Sequence, residues 1–333
     1  MTTKSWGLWG GIAIFLLMLL MGPPASMGAP AWHVAALTLL MAIWWMTEAF
    51  PLTVTALLPF LALPLMGILS AGEVAKEYYS PILFLILGGA FLALTIERTG
   101  MHRRIALWIL GFAGQSRFGL LLAFMAATAF ISMWISNTST SLIMMPIALA
   151  VLGAGGIADD ETDGMAGALV LGVAFSASLG GLGTLVGSPT NPIAVGLIEK
   201  QVGMNISFAD WMSFGVPILL VAVPVTALIL AKVQRIDATA FDPKAARNAI
   251  GAQGPWTGAE KRLLPIILLA IMLWLAQPQL EALLPKGSVT DGTIAIACSL
   301  LLFLIPDGSG RPLLNWKEAD RAPWGVIMMF GGG

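Results

Sequence analysis

Long apolar runs separated by short polar stretches form the main pattern of this chain. A helix needs about 20 apolar residues to cross the hydrocarbon core of a bilayer, and runs near that length recur from one end to the other. We place helix candidates at 8–22, 32–47, 52–69, 81–98, 103–113, 118–152, 165–198, 211–231, 262–276, 290–305 and from 322 onward. The pattern predicts an all-α polytopic membrane protein.

The run 118–152 carries a polar cluster halfway along it. The cluster comprises Ser132, Ser136, Asn137, Thr138, Ser139, Thr140 and Ser141. Hydroxyl and amide side chains compete for backbone hydrogen bonds and weaken a helix locally. We therefore expect two half-helices with a break between them, and polar groups at membrane depth that need partners.

The run 165–198 is interrupted by residues that cannot sustain a helix. The interruption lies in SASLGGLGTLVGSPTNP, residues 176–192, and contains Gly180, Gly181, Gly183, Gly187, Pro189 and Pro192. Broken helices of this kind are typical of binding sites in secondary transporters. Two simple helix kinks, with hydroxyls bonded to their own backbone, are the alternative. Two such interruptions together favour a binding site.

Composition supports a membrane environment and excludes several classes of function. The chain is 58% hydrophobic and 11% charged, with a mean hydropathy of +0.87, which lies outside the range of soluble domains. One cysteine and two histidines provide neither a disulfide framework nor an evident metal cluster. The first run, 8–22, also resembles a cleaved signal peptide, but the apolar runs that follow favour a first transmembrane helix.

The basic residues orient the spans. With a cytoplasmic N-terminus and 118–152 as a re-entrant hairpin, fourteen of the 17 Lys and Arg residues lie inside, and only Lys76, Lys200 and Lys286 lie outside. A single pass at 118–152 would invert all later loops, so a hairpin or two spans is favoured. The polar stretch 232–262 then becomes a cytoplasmic linker between two halves, a solvated loop that could include an interfacial helix.

The chemistry of the two clusters points to ions rather than to catalysis. Neither cluster contains Asp, Glu, Lys, Arg or His, so neither offers an acid, a base or a fixed charge. Hydroxyls, an amide and freed carbonyls suit Na⁺, and helix N-termini suit an anion. This combination predicts cation-coupled anion transport. A membrane-embedded enzyme would need a carboxylate pair, a His cluster or an activated nucleophile, and a channel would need a continuous pore.

Four motifs make the chain similar to a known family. They are WWMTEAFPLTVTALLP at 44–59, FLILGGAFLALTIERTGMHRRIA at 84–106, SNT at 136–138 and GGLGTLVGSPTNPIAVG at 180–196. Together they resemble the divalent anion/sodium symporter family, the INDY-type dicarboxylate transporters. The resemblance covers nearly the whole chain.

The resemblance implies a set of site residues around a hairpin tip. Na⁺ would be held by Ser132, Ser136, Asn137 and the backbone around Gly187. The substrate carboxylate would be bound by Ser136, Asn137, Thr138 and Ser188. Thr184, Pro189 and Asn191 are secondary candidates, because they could instead stabilise the unwound turn.

The resemblance also implies a function and a division of the chain. It implies sodium-coupled symport of divalent anions, foremost C4 dicarboxylates such as succinate, malate or fumarate, by an elevator movement of a homodimer in the bacterial plasma membrane. Na⁺ would be the coupling ion, with no other cofactor, no catalysis and no nucleic-acid partner. A sodium-independent dicarboxylate exchanger and a sulfate or citrate carrier are the alternatives. The division is scaffold helices at 1–113, half of a transport domain at 114–231, the linker at 232–262, and further scaffold with the start of a second repeat at 263–333.

The family is built from two inverted repeats, and only one is complete here. PWGVIMMFGGG at 323–333 echoes PILFLILGGA at 81–90 and looks like the opening of the second repeat. We therefore expect a fragment of a protein of about 470 residues, an estimate from repeat symmetry. A truncated product that cannot transport is the alternative.

Overall fold

A computed structural model describes residues 3–79, 81–157, 162–237, 241–250 and 254–332, and this part of the chain consists of helices joined by turns and short irregular segments. The helices are α1 (Thr3–Met21), α2 (Ala29–Thr47), α3 (Leu52–Thr55), α4 (Leu58–Leu65), α5 (Ala71–Glu77), α6 (Pro81–Thr99), α7 (Met101–Leu110), α8 (Arg117–Ser132), α9 (Asn137–Ala154), α10 (Gly164–Gly180), α11 (Thr190–Val202), α12 (Phe208–Val233), α13 (Pro243–Ala249), α14 (Gly258–Leu275), α15 (Gln277–Leu283), α16 (Asp291–Leu304), α17 (Trp316–Ala319) and α18 (Trp324–Gly332). The predicted all-α class is confirmed.

Several helices are long and apolar enough to cross a membrane. Within the described ranges these are α1, α2, α6, α9 and α12, and the bent pair α14–α15, with an angle of 69°, adds a sixth if it forms one span. α8, α10 and α16 are shorter apolar helices. The chain is therefore a polytopic membrane protein, as its hydropathy predicts.

The chain divides into two compact units, Met1–Leu83 with Pro323–Gly333, and Phe84–Ala322. In the first unit, α1 and α2 pack antiparallel: Lys4 pairs with Glu48 at 3.6 Å at one end, and Trp32 Nε1 donates to the Met18 carbonyl at 2.8 Å near the other. Glycine permits the contact, since a Cβ on Gly7 would lie 2.0 Å from the Thr47 hydroxyl.

The run 52–69 differs from the single helix expected there. It forms α3 and α4, separated at Ala56 and Leu57. Pro59 lies in the first turn of α4 and has no N–H to continue a helix from the preceding turn. The break therefore has a local cause.

The second unit contains the main core, in which α10 packs closely on α8. Gly172 and Gly180 allow this approach: a Cβ on Gly172 would lie 3.0 Å from side-chain atoms of Leu121 and Met125, and one on Gly180 would lie 2.3 Å from the Ala129 carbonyl oxygen. Two backbones this close leave no room for a larger residue.

Both predicted helix breaks are present. The helix in 118–152 stops after Ser132 and restarts at Asn137, and that in 165–198 stops after Gly180 and restarts at Thr190. The course of 118–152 as a re-entrant hairpin stays a prediction. The division into scaffold and transport parts also stays a prediction, because it concerns how the parts move and a single structure shows no movement.

The linker 232–262 is more ordered than a solvated loop in its described parts, which exclude 238–240 and 251–253. Arg247 of α13 donates to the carbonyls of Ala113 at 3.0 Å and Gly111 at 2.6 Å. The Phe241 ring fills the space beside Gly155, where a Cβ would lie 2.1 Å from it. The linker is thus anchored to the ends of α7 and α9.

A buried arginine joins the end of α6 to the loop after α16. The Arg98 guanidinium pairs with Asp307 at 3.0 Å and Glu318 at 2.9 Å, and also donates to the carbonyls of Pro312, at 2.8 Å, and Leu313. Charge pairing with additional hydrogen bonds offsets the cost of withdrawing an arginine from water. This loop is fixed to α6 by one side chain.

Candidate functional site

The two helix breaks meet in space. The buried Thr184 hydroxyl, in the break after α10, donates to the Met133 carbonyl in the break after α8. A Cβ on Gly187 would lie 3.0 Å from the Met133 carbonyl oxygen and 2.8 Å from that of Gly181. We call residues 132–138 the tip and residues 181–191 the turn.

Two serine hydroxyls organise the tip. The Ser136 hydroxyl caps α9 by accepting from the Ser139 N–H at 3.2 Å. Ser132 is fully buried, and its single hydroxyl proton can go to the Ala177 carbonyl at 2.6 Å or to Asn137 Oδ1 at 2.8 Å. Ser136 and Thr138 are exposed, whereas Asn137 is half-buried.

The turn is held by a buried amide. Asn191 Nδ2 donates to the carbonyls of Gly181 at 2.7 Å and Thr184 at 2.8 Å. These bonds replace the helical bonds that the turn lacks. At the end of the turn, the Ser188 and Thr190 hydroxyls lie 2.8 Å apart, and Pro189 precedes α11.

The structure gathers most of the predicted site residues into one bonded group. The Ser132 and Asn137 side chains bond to each other, the Gly187 N–H donates to the Thr184 hydroxyl, and Thr184 and Asn191 bond to main-chain carbonyls. Asn137 Oδ1 would lie 2.7 Å from a Cβ on Gly181. Ser136 and Thr138 border this group on the tip. Ser188 and Pro189 lie in the turn between Gly187 and Asn191, where the Ser188 hydroxyl bonds to that of Thr190. Their roles toward ligands stay predictions.

Sequence reasoning missed the main-chain participants and left two buried hydroxyls out of the site. The carbonyls of Met133 and Ala177 bind the site hydroxyls, but every residue has a carbonyl, so no sequence pattern reveals them. Thr140 and Ser176, one near each break, are buried with hydroxyls that have no hydrogen-bond partner among the described residues. Buried hydroxyls normally have a partner. The sequence places Thr140 in the polar cluster and Ser176 at the start of the glycine-rich segment, but the full burial that distinguishes them is visible only in the structure.

Helix ends give the site both signs of partial charge. α8 and α10 end at it, and α9 and α11 begin at it. C-terminal carbonyls attract cations and N-terminal amides attract anions. The electrostatic field of these helix ends therefore suits a small cation bound next to a carboxylate, although the side chains of the site are neutral. The hydroxyl, amide and carbonyl oxygens of the site are of the kind that binds Na⁺.

An apolar seam lies between the site and the neighbouring helices. Trp134 of the tip and Val186 of the turn face Gly89 and Leu92 of α6 and Trp274 of α14 across a cavity of about 10 Å³. That volume is at or below what one water molecule needs. A Cβ on Gly89 would lie 2.7 Å from a Val186 methyl carbon, so the seam is tightly packed.

Comparisons with known proteins identify relatives. The family model described as sodium:sulfate symporter transmembrane region matches residues 2–333. Proteins named sodium-dependent dicarboxylate transporter SdcS, from Staphylococcus aureus strains USA300, NCTC 8325 / PS 47 and COL, are each 38% identical over 343 residues, which covers 98% of this chain and 65% of the relative. The chain thus spans slightly less than two thirds of the length of these curated relatives. All are transporters by name rather than enzymes, in agreement with the sequence prediction.

Proposed function

This chain belongs to the sodium:sulfate symporter family, and on that premise we propose that the full-length protein containing it is a secondary active transporter coupling Na⁺ to the uptake of divalent anions. C4 dicarboxylates such as succinate, malate and fumarate are the proposed substrates, in keeping with the names of the relatives. The observation that carries the proposal is the meeting of tip and turn, where two interrupted helices bring neutral oxygen ligands and helix ends of both signs together.

The proposed Na⁺ site uses Ser132, Ser136, Asn137 and the backbone around Gly187. Ser132 is completely buried and already bonds to main-chain and amide oxygens, so the lone pairs of its hydroxyl are held in place before any ion arrives. Na⁺ is a hard cation that fits neutral oxygens at a helix C-terminus. The bound ion would then supply the positive charge that the side chains lack.

The proposed substrate contacts lie where α9 and α11 begin. Ser136, Asn137 and Thr138 at the start of α9 and Ser188 before α11 offer hydroxyl and amide donors to a carboxylate. The two helix N-termini and the co-bound cation favour the same negative charge. Substrate affinity would therefore depend on Na⁺ even without a fixed positive side chain.

The proposed movement is an elevator motion of α8 to α12 against the other helices. The apolar seam supports it, because apolar side chains in contact can slide past one another at low cost. The bond from the Phe208 N–H of α12 to Asp291 Oδ2 of α16, 2.9 Å long, would have to break during the movement. We further propose a homodimer in the bacterial plasma membrane, as the family resemblance implies, and a cytoplasmic N-terminus, on the strength of the positive-inside pattern.

Uptake into proteoliposomes tests this proposal. Purified full-length protein is reconstituted, and radiolabelled succinate uptake is measured with an inward Na⁺ gradient and with choline in its place. The proposal expects uptake only with Na⁺, inhibition by malate and fumarate, and little inhibition by sulfate or citrate. Uptake that is independent of Na⁺ but requires succinate inside the proteoliposomes would identify an exchanger and refute sodium coupling. Stronger inhibition by sulfate or citrate would overturn the substrate class.

A further inference from the structure

One buried hydroxyl connects the two halves of the site. Thr184 is fully buried, and its hydroxyl donates to the Met133 carbonyl while accepting from the Gly187 N–H at 3.0 Å. One oxygen therefore ties the main chain of the tip to the main chain of the turn. The hydroxyl gives its one proton to Met133 and uses one of its two lone pairs to accept from Gly187, so it has no donor left for a ligand.

The residues around Thr184 restrict the backbone of both the tip and the turn. Asn191 Nδ2 donates to the Thr184 and Gly181 carbonyls, which fixes the backbone on which the threonine stands. Gly187 is buried, and a Cβ there would lie within 3.0 Å of the Met133 and Gly181 carbonyl oxygens. The tip can change its distance from the turn only by breaking the Thr184 bonds.

We propose that Thr184 is a positioning residue that makes tip and turn one binding unit for Na⁺. The inference rests on the proposed Na⁺ site. Ser132 and Asn137 come from the tip and the Gly187 backbone comes from the turn, so the ion is bound well only while the two segments keep a fixed separation. The threonine hydroxyl maintains that separation without touching the ion.

Thr184→Val is the informative substitution. Valine keeps the shape of threonine but removes the hydroxyl, leaving the Met133 carbonyl and the Gly187 N–H without this partner. We expect the Na⁺ concentration for half-maximal binding to rise about tenfold, because the variant lacks the hydroxyl that holds the two halves of the site together. Binding of radiolabelled Na⁺ to the purified full-length protein measures this directly.

Two further variants separate positioning from general packing. Thr184→Ser keeps the hydroxyl and should restore Na⁺ affinity to within about twofold of wild type. Thr95→Val removes another fully buried threonine hydroxyl, one that bonds to the Phe91 carbonyl of its own helix at 2.8 Å. Thr95→Val should leave Na⁺ binding unchanged, although it makes the same chemical change as Thr184→Val.

The outcomes distinguish this inference from the proposed function. If the wild-type protein binds no Na⁺, the proposed function fails. If wild type binds Na⁺ and Thr184→Val binds it equally well, the positioning role is wrong. An equal loss of Na⁺ affinity in Thr184→Val and Thr184→Ser would also overturn the positioning role, because the loss would then be due to altered packing and not to the missing hydroxyl.

A measurement on the wild-type protein covers the case in which Thr184→Val does not fold. Hydrogen exchange is followed by mass spectrometry over a range of Na⁺ concentrations, with choline keeping the ionic strength constant. If the link joins tip and turn, peptides covering 132–138 and 181–191 should gain protection with the same Na⁺ dependence. Protection that appears at clearly different Na⁺ concentrations in the two peptides would refute the inference.

Discussion

Gly180→Ala should damage the protein at the contact between α10 and α8. The added Cβ would lie 2.3 Å from the Ala129 carbonyl oxygen and 2.8 Å from both the Ala129 Cα and the Ser132 Cβ. All three neighbours belong to the backbone or the first side-chain carbon of α8, so none can rotate away. The two helices must separate by about 1 Å to restore normal contact distances.

The expected cost combines overpacking with a lost hydrogen bond. Forcing a methyl group into a filled contact costs about 1–3 kcal/mol. The same separation would lengthen the bond between the Ser132 hydroxyl and the Ala177 carbonyl, now 2.6 Å, and would remove a net contribution of about 0.5–1.5 kcal/mol. We therefore expect a destabilisation of about 2–4 kcal/mol, together with weaker Na⁺ binding because Ser132 moves.

Thermal unfolding in detergent and Na⁺ binding measure the two effects. Gly153→Ala is the matched control, since Gly153 is also helical but has no atom within 4 Å of the added Cβ. It should be neutral, or stabilising by up to about 1 kcal/mol through helix propensity. Gly180→Ala with the same stability and Na⁺ affinity as Gly153→Ala would refute the packing argument.

Three other predictions address the site, the seam and a charged loop. Asn137→Ala should abolish Na⁺-driven uptake without loss of folding, as judged by monodispersity and unfolding temperature, and unchanged uptake would remove Asn137 from the site. Gly89→Ala should slow uptake several-fold but alter equilibrium Na⁺ binding by less than about twofold, because its Cβ meets Val186 across the seam where we propose that the helices slide. Equal uptake rates in the variant and wild type would refute sliding along this seam. The Ser309 hydroxyl and N–H, and then the charge of Arg98, lower the pKa of Asp307 to about 2. Its carboxylate therefore stabilises the fold above about pH 4, and the difference in unfolding temperature between wild type and Asp307→Asn should shrink as the pH falls towards 2. A difference that stays constant over this range would contradict the assignment.

Sequence patterning predicted the parts of this fold that depend on local chemistry. The break after Ser132 follows from hydroxyl and amide side chains that compete with helical hydrogen bonds, and the break after Gly180 follows from glycine and proline. Both are visible in the sequence because helix propensity is a property of neighbouring residues. The long apolar runs of α1, α2 and α12 were predictable for the same reason.

The remaining features depend on contacts between distant segments. Arg247 docks on the segment that follows α7, and Phe241 packs against Gly155 after α9. These contacts order a stretch that the sequence predicts as a solvated loop. The link between Thr184 and Met133 spans 51 residues and uses a main-chain oxygen. No periodicity or composition marks such partners, so they emerge only from the packed structure.

The arginine at the end of α6 has a consequence for how the chain is made. Arg98 is bound by the Pro312 carbonyl, 214 residues later in the sequence, and by Asp307, 209 residues later. A ribosome adding about 5–20 residues per second needs on the order of ten seconds or more to synthesise that interval. Throughout this time the guanidinium must remain in water or among lipid headgroups at the membrane surface, because no partner yet exists to offset its burial. The end of α6 can therefore settle into its final position only late in synthesis, after most of these membrane helices have been inserted.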